Sequence, residues 1–117
     1  MYYLGLDVGS SSVKAAIVDA KSGKSILSVH EPKNEMGINS LNNDWAEQDP
    51  NMWWKYTCDA IKRVCKESNV DSKKIGSIGI SYQMHGLVVV DKNGSPLRDS
   101  IIWCDSRAVN IGKEAFE

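Results

Sequence analysis

One stretch of the sequence, residues 7–14, places an acid, a small polar turn and a base close together. It reads Asp-Val-Gly-Ser-Ser-Ser-Val-Lys; glycine lets a backbone approach a ligand closely, and successive turn N–H groups can bind an anion. The candidate phosphate-binding residues are Gly9, Ser10, Ser11, Ser12 and Lys14. Asp7 could hold Mg²⁺ through water, because that ion dehydrates reluctantly. The alternative is an ordinary β-hairpin with a serine-rich turn, since the spacing of a P-loop is absent.

A second polar stretch, Gln83-Met84-His85-Gly86, follows an apolar run. Ligands of α/β proteins gather at the carboxyl ends of buried strands. Glutamine and histidine can hydrogen-bond hydroxyl groups, and methionine offers an apolar wall. Gln83, Met84 and His85 are therefore candidate substrate-binding residues. The alternative for His85 is a structural histidine whose hydrogen bonds stay within the protein.

A third stretch contains Trp103, Asp105 and Arg107. Tryptophan is a flat platform for the apolar face of a sugar, so Trp103 and Asp105 join the candidate substrate-binding set. An ion pair between Asp105 and Arg107 is the structural alternative.

Strands must position the first of these stretches. Alternating apolar residues predict strands over 2–8 and 13–19, and turn signals delimit a third strand over 25–30. The tight turns between them predict an antiparallel meander. Residues 31–48 form a long polar loop, in which Trp45 is the expected anchor.

A helix is predicted to begin at Asp49-Pro50, because Asp caps free N–H groups and Pro suits the first helical position. Its expected buried stripe consists of Trp54, Cys58, Ile61, Val64 and Cys65. This stripe predicts packing of the helix against the sheet.

Further strands must position the other two stretches. Residues 75–81 carry no charge and predict a strand buried on both faces. A helical crossover implies that this strand lies parallel to the first one, with right-handed topology. Shorter strands are predicted over 87–91 and 101–104, and an uncapped helix over 107–117. The whole pattern is that of an α/β layer structure.

Composition excludes several classes of function. The chain has 117 residues, 42% hydrophobic and 25% charged, with a net charge of -1, so it lacks the basic excess of a nucleic-acid-binding domain. No apolar run is long enough to span a membrane, and the first residues do not resemble a signal peptide. The three cysteines, Cys58, Cys65 and Cys104, predict buried reduced thiols and a cytoplasmic protein.

Four motifs together resemble a known family. Residues 7–14 resemble the first phosphate motif of the actin, Hsp70 and sugar-kinase superfamily. Residues 45–50 (Trp-Ala-Glu-Gln-Asp-Pro) with Trp53-Trp54, residues 80–87 and residues 102–107 are similar to the FGGY carbohydrate kinases. The motifs occur in the family's order. Within that family, the Gln-Met-His-Gly element is most typical of members that act on xylulose.

The resemblance implies a two-domain kinase with a ribonuclease-H-like fold in each half, and with ATP and Mg²⁺ as cofactors. Sugar and ATP would meet between the halves. Met84 and His85 would contact the ketose, Asp7 would lie near the magnesium ion, and the turn with Lys14 would face the ATP phosphates. The implied reaction converts D-xylulose to D-xylulose 5-phosphate. Alternatives are kinases for gluconate, glycerol or ribulose, and a non-catalytic sugar-binding regulator of the same fold.

The resemblance also implies that residues 1–117 are an incomplete domain, the N-terminal portion of the sugar-binding domain. The catalytic base would be an Asp beyond residue 117, so we assign no catalytic residue within the chain and expect it to be inactive alone. Expected partners are a small sugar and ATP, without nucleic acid or membrane. Whether the full-length enzyme forms a homodimer is left open. Ser10 stands where many relatives have Thr, and Cys104 stands where they have Asn, which leaves the role of Cys104 open.

Overall fold

The structure is a computed structural model that describes all residues, 1–117. Its elements in chain order are β1 (Tyr2–Val8), β2 (Val13–Asp19), β3 (Ser25–Glu31), β4 (Glu47–Gln48), α1 (Pro50–Ser68), a 3₁₀ turn (Ser72–Lys74), β5 (Ile75–Tyr82), β6 (Ser100–Ile101) and α2 (Val109–Glu114). The chain divides into two compact units. The first unit comprises Met1–Met36 and Asn51–Gln83, and the second comprises Gly37–Pro50 and Met84–Glu117.

The first unit contains a four-stranded sheet in the order β3-β2-β1-β5. Strands β1, β2 and β3 pair antiparallel, which confirms the predicted meander. Strand β5 pairs parallel with β1, as the helical crossover predicts. The carboxyl ends of β1 and β5 therefore lie side by side, with Val8 opposite Tyr82.

The core of the first unit lies between this sheet and α1. The sheet contributes Leu4, Leu6, Val13, Ala15, Ile17 and Val29, and the helix contributes Ala60 and Val64. Ile61 and Cys65 pack partly against this core, as predicted. Trp54 was predicted in the stripe but is 71% exposed, so that prediction is wrong. The buried positions of the helix are Thr57, Ala60 and Val64. One turn before Thr57, the same face of the helix carries Trp53, whereas Trp54 lies about 100° further round the helix.

Strand β5 differs from its prediction, because it is exposed rather than buried on both faces. Ile78 is 58% exposed and Ile80 is 63% exposed. The other edge strand, β3, keeps Val29 buried. The reason is therefore that, within residues 1–117, only Ile75 of β5 packs against the core, and no element covers the rest of the strand.

The second unit is built on a short antiparallel pair, β4 with β6. Residues 87–91 do not form the predicted strand. Only Leu87 and Val90 make isolated bridges, to Ile101 and Pro96. The carboxylate of Asp91 accepts hydrogen bonds from turn N–H groups at 2.8 and 2.9 Å, which curls the chain instead.

The remaining predicted elements of the second unit are shorter in the structure. The strand predicted over 101–104 is reduced to Ser100–Ile101, and the final helix spans only Val109–Glu114, without a side-chain cap as expected. All three cysteines are free, but Cys104 is exposed and the other two are half-buried, so the prediction of full burial is wrong. Neither helix has the length and hydropathy needed to cross a membrane.

Candidate functional site

A polar row crosses the sheet of the first unit at the level where β1 ends. Asp7 is the register partner of Lys14 on β2 and of Ser81 on β5, and Lys14 is the partner of His30 on β3. Register partners project from the same face of a sheet. Because Leu6 and Ala15 face α1, these four polar side chains lie on the opposite face.

Asp7 and Lys14 form an ion pair within this row. The Lys14 Nζ donates to the Asp7 carboxylate at 3.3 Å, and the two side chains are 59% and 46% exposed. A pair so exposed holds its partners weakly, so each group can exchange its partner for a ligand. No group of three His, Cys, Asp or Glu side chains in the chain could hold a metal ion. One accessible carboxylate nevertheless fits Mg²⁺, because this ion keeps most of its waters when a protein binds it.

The turn from Gly9 to Ser12 is closed by backbone hydrogen bonding. The Gly9 N–H donates to the Ser12 carbonyl at 3.1 Å, and the Ser11 carbonyl accepts from the Met36 N–H at 2.8 Å. A Cβ on Gly9 would lie 3.1 Å from the Ser12 oxygen, which is a tight contact. Glycine is therefore required for this turn to form without adjustment.

Gln83 directly follows β5 and continues its pairing, since its N–H donates to the Val8 carbonyl at 3.0 Å. Its side-chain amide is unusual, because both the nitrogen and the oxygen are buried and neither has a hydrogen-bond partner. An unpaired buried amide is destabilising by about 1–3 kcal/mol. Such a group requires an explanation, and a polar ligand is one.

The second unit carries the other candidate substrate residues. His85 has a φ of 65°, a left-handed conformation uncommon for residues other than glycine. Met84 is 62% exposed and Trp103 is 58% exposed. Because Leu87 and Ile101 form an antiparallel bridge, the segments that carry His85 and Trp103 lie side by side. The two segments together present exposed apolar surfaces and an imidazole, a combination of groups that can line a small-molecule site.

Asp105 is held by the protein itself. Its carboxylate accepts from the Arg107 Nε at 2.9 Å and from the Ala46 N–H at 2.7 Å. Hydrogen bonds from Arg107, with the Ala46 and Arg107 backbone N–H groups, lower the pKa of Asp105 to about 2. The predicted pairing of Asp105 with Arg107 is thereby confirmed.

The same guanidinium reaches further partners. The Arg107 side chain donates to Glu47 at 2.6 Å and stacks on the Trp45 ring at 3.9 Å. Glu47 is 6% exposed and is also paired with Arg98. These contacts fix the loop before α1 to the segment that carries Trp103.

The structure therefore divides the predicted site residues between the units. Asp7, the Gly9–Ser12 turn, Lys14 and Gln83 lie in the first unit. Met84, His85, Trp103 and Asp105 lie in the second. His30 was not singled out from the sequence, and Glu47 appeared there only as a member of the motif at residues 45–50. The pairing of Lys14 with His30 could have been found only by placing the β2–β3 register.

Comparison with known proteins gives a consistent result. The model of the FGGY family of carbohydrate kinases, N-terminal domain, matches residues 2–115. The xylulose kinase of Staphylococcus epidermidis is 41% identical over 104 residues, which cover 89% of this chain and 20% of that protein. The crystal structure of a xyloylose kinase from Brucella ovis superimposes with a TM-score of 0.88 and 33% identity, over 98% of this chain and 23% of that one. A gluconate kinase from Lactobacillus acidophilus gives a TM-score of 0.86 and 29% identity, over 98% of this chain and 22% of that one.

The meander, the crossover helix and the parallel strand form part of a ribonuclease-H-like fold, as in the superimposed kinase structures, which confirms the predicted fold class. The chain belongs to the FGGY family of carbohydrate kinases. It spans about a fifth of the length of the curated relatives that it matches.

Proposed function

We propose that the complete protein is an ATP-dependent kinase that converts D-xylulose to D-xylulose 5-phosphate. Residues 1–117 would be the N-terminal portion of its sugar-binding domain. The proposal is carried by the Gln83-Met84-His85-Gly86 element after β5, in a chain that is 41% identical to a protein named xylulose kinase.

In this proposal the polar end of the first unit serves the nucleotide. Lys14 and the donors of the Gly9–Ser12 turn bind phosphate oxygens, and Asp7 holds the waters of a magnesium ion. When bound, ATP would supply the phosphoryl group, and the magnesium ion would neutralise the charge that develops on it. Lys14 is already beside Asp7, so a phosphate and a metal can each take one member of that pair.

The sugar set orients the ketose. His85 bonds a hydroxyl, Met84 and Trp103 cover the apolar face, and the unpaired Gln83 amide gains a polar partner on binding. Asp105 has a supporting role, because Arg107 and Ala46 already occupy its oxygens. No catalytic residue is assigned within the chain. The base that accepts the hydroxyl proton would be an Asp outside residues 1–117.

The competing sugar assignments rest on the same fold. The gluconate kinase from Lactobacillus acidophilus aligns with 98% of this chain, so the fold alone does not choose the substrate. A kinase for glycerol or ribulose and a non-catalytic sugar-binding regulator are further alternatives. We infer a cytoplasmic enzyme whose partners are ATP and a small sugar, without nucleic acid or membrane, and a homodimer is the assembly to test.

A coupled assay of ADP release on the complete protein tests the proposal with xylulose, ribulose, gluconate and glycerol. We expect kcat/KM to be highest for xylulose and to fall about tenfold or more in His85→Ala, by loss of a hydroxyl partner. Lys24→Ala, at the exposed β2–β3 turn, is the matched control and should behave as wild type. Preference for another substrate would overturn the sugar assignment. Sugar binding without turnover on any substrate would favour the regulator.

A further inference from the structure

Trp103 lies at the tip of a tight turn in the second unit. The Asp105 N–H donates to the Ile102 carbonyl at 3.0 Å, so Trp103 and Cys104 are the two middle residues of this turn. Trp103 is 58% exposed, whereas Ile102 is 2% exposed. Because the proposed sugar packs on the Trp103 ring, the orientation of this turn determines where the sugar lies.

Both ends of the turn are bound by one residue of the loop before α1. The Ile102 N–H donates to the Ala46 carbonyl at 3.0 Å, and the Ala46 N–H donates to the Asp105 carboxylate at 2.7 Å. Ala46 is itself buried. The position of the Trp103 turn therefore depends on the position of the chain at Ala46.

Glu47, the next residue, is held by its backbone on two sides. Its N–H donates to the Asn39 carbonyl at 2.9 Å, and its own carbonyl accepts from the Asn39 N–H at 2.8 Å. On the other side it is the register partner of Ile101. Ile101 also bridges to Leu87, which follows His85 by two residues. The same row of paired residues therefore reaches the segment that carries His85.

The Glu47 side chain binds both ends of the segment that carries Trp103. Its Oε1 accepts from Arg107 Nη2 at 2.6 Å and is also paired with Arg98. Arg98 precedes Trp103 by five residues, and Arg107 follows it by four. Glu47 is 6% exposed, and a buried charge requires such partners. Low local dielectric strengthens the two hydrogen bonds that it accepts.

The charges of this cluster are used within it. Glu47 and Asp105 are paired with Arg98 and Arg107, which leaves the four groups without net charge. The Arg107 guanidinium also stacks on the Trp45 ring at 3.9 Å, which adds a further contact to the loop before α1. A balanced and mostly buried cluster of this kind is suited to holding geometry rather than to binding a charged ligand.

We propose that Glu47 is a positioning residue, which orders residues 98–107 through its two arginines and thereby sets the orientation of Trp103 against the sugar. The sugar contact rests on the proposed function, but the ordering of the segment does not. A displacement of about 1 Å in a group that orients a substrate is enough to impair an enzyme strongly. If the sugar is bound equally in the ground state and the transition state through Trp103, loss of Glu47 raises the KM for sugar and leaves kcat unchanged.

Hydrogen exchange measured by mass spectrometry on the complete protein, without ligand, tests the ordering. Glu47→Gln removes the charge of the carboxylate, and Arg98→Gln removes the more exposed of its two arginines, with 45% of the side chain exposed against 18% for Arg107. Each variant should speed exchange in peptides that cover residues 98–107 by about tenfold, as expected for easier local opening. Peptides from β1 and β2 should keep their wild-type rates.

Lys92→Gln, which removes an exposed positive charge from the same unit, is the matched control and should exchange as wild type. If Glu47→Gln fails to fold, Arg98→Gln decides the question, because its side chain is largely accessible. Unchanged rates over residues 98–107 in the folded variants would overturn the proposal. An equal increase in all peptides, β1 and β2 included, would also overturn it, since Glu47 would then stabilise the protein as a whole.

Steady-state kinetics of the complete protein, with the sugar that wild type prefers, test the consequence for binding. Glu47→Gln should raise the KM for sugar about tenfold, and Arg98→Gln should raise it by a smaller factor. The kcat and the KM for ATP should stay within about twofold of wild type. In the double variant Glu47→Gln/Arg98→Gln, the second change should add nothing, because Arg98 acts through Glu47.

An unchanged KM for sugar in both single variants, or a loss confined to kcat, would overturn the positioning role. Additive effects in the double variant would also overturn it, because Arg98 would then act independently of Glu47. If wild type uses no sugar, the proposed function fails instead, and the exchange rates still decide whether Glu47 orders the segment.

Discussion

Replacement of Asp105 by Asn tests whether this residue supports the site or contacts the sugar. In the structure, Arg107 donates to the two carboxylate oxygens at 2.9, 2.9 and 2.6 Å, and the Ala46 N–H donates at 2.7 Å. Asparagine would keep one acceptor and would turn an NH₂ donor towards the guanidinium donors. Breaking a buried ion pair is destabilising by about 3–5 kcal/mol. Because Arg107 keeps Glu47 at 2.6 Å, we expect a loss of about 3 kcal/mol, at the lower end of that range.

The pH dependence provides an independent measure of the same interaction. The Arg107 hydrogen bonds lower the pKa of Asp105 from 3.8 to about 2, so the ionised form is stabilised in the folded state. That stability is fully present above the unfolded pKa near 3.8 and is lost as the pH falls through the folded pKa near 2. At 1.36 kcal/mol per unit, and after allowance for solvent screening, the contribution is about 1–2 kcal/mol, of which about half should be lost by pH 3.

The assay is urea unfolding of the complete protein and of Asp105→Asn at pH 6 and at pH 3, with kcat/KM for xylulose measured at neutral pH. The difference in unfolding free energy should be smaller at pH 3, while kcat/KM per folded molecule stays close to wild type. An equal difference at both pH values would refute the ion-pair account. Unchanged stability with a raised KM for the sugar would show that Asp105 binds substrate directly.

Three further predictions concern Asp7, His85 and Gly9. Asp7→Ala should lower kcat by about 100-fold with little change in the KM for sugar, since charge develops in the transition state. An unchanged kcat with a raised KM for sugar, measured by steady-state kinetics, would assign Asp7 to the sugar site. His85→Gly should preserve or raise the melting temperature, because the φ of 65° suits glycine, while kcat/KM for xylulose falls about tenfold or more. A lower melting temperature with intact kcat/KM would make His85 structural. Gly9→Ala places a Cβ 3.1 Å from the Ser12 oxygen and should reduce the free energy of unfolding by about 1 kcal/mol. Its KM for ATP should rise more than its KM for sugar. Equal changes in both KM values would show that the turn does not bind the nucleotide.

The meander and the main helix could be predicted because local patterns determine them. Alternation in β1 and β2 follows from a sheet with one covered face, and Pro50 suits the first turn of α1. The exposure of β5 could not be predicted in this way. An uncharged strand indicates burial only when other elements cover it, and the sheet order leaves β5 at an edge. The predicted stripe also included Trp54, which is 71% exposed; local spacing alone did not distinguish it from its neighbour Trp53.

The site shows a similar division. Asp7 and the glycine turn follow from local spacing, whereas the face on which His30 lies depends on a register shift between β2 and β3. Simple counting from the pair Val18 and Ser25 would place Lys14 opposite Val29, but the irregularity between Ile17 and Val18 moves His30 into that position. A slip of one residue reverses the faces of a strand. The long-range contact between Glu47 and Arg107 has no local signal, because it joins residues that only the folded chain brings together.

The uncovered edge at β5 has a consequence for synthesis. At about 5–20 residues per second, residues 83–117 take roughly 2–7 s to be added after β5 has been translated, and β5 is still exposed when they are present. During that interval an uncharged, isoleucine-containing strand on one nascent chain can pair with the same strand on a neighbour of the same polysome. The interior glycines Gly76 and Gly79 lower the strand propensity of this segment. They would therefore slow such pairing between copies while the ribosome continues along the message.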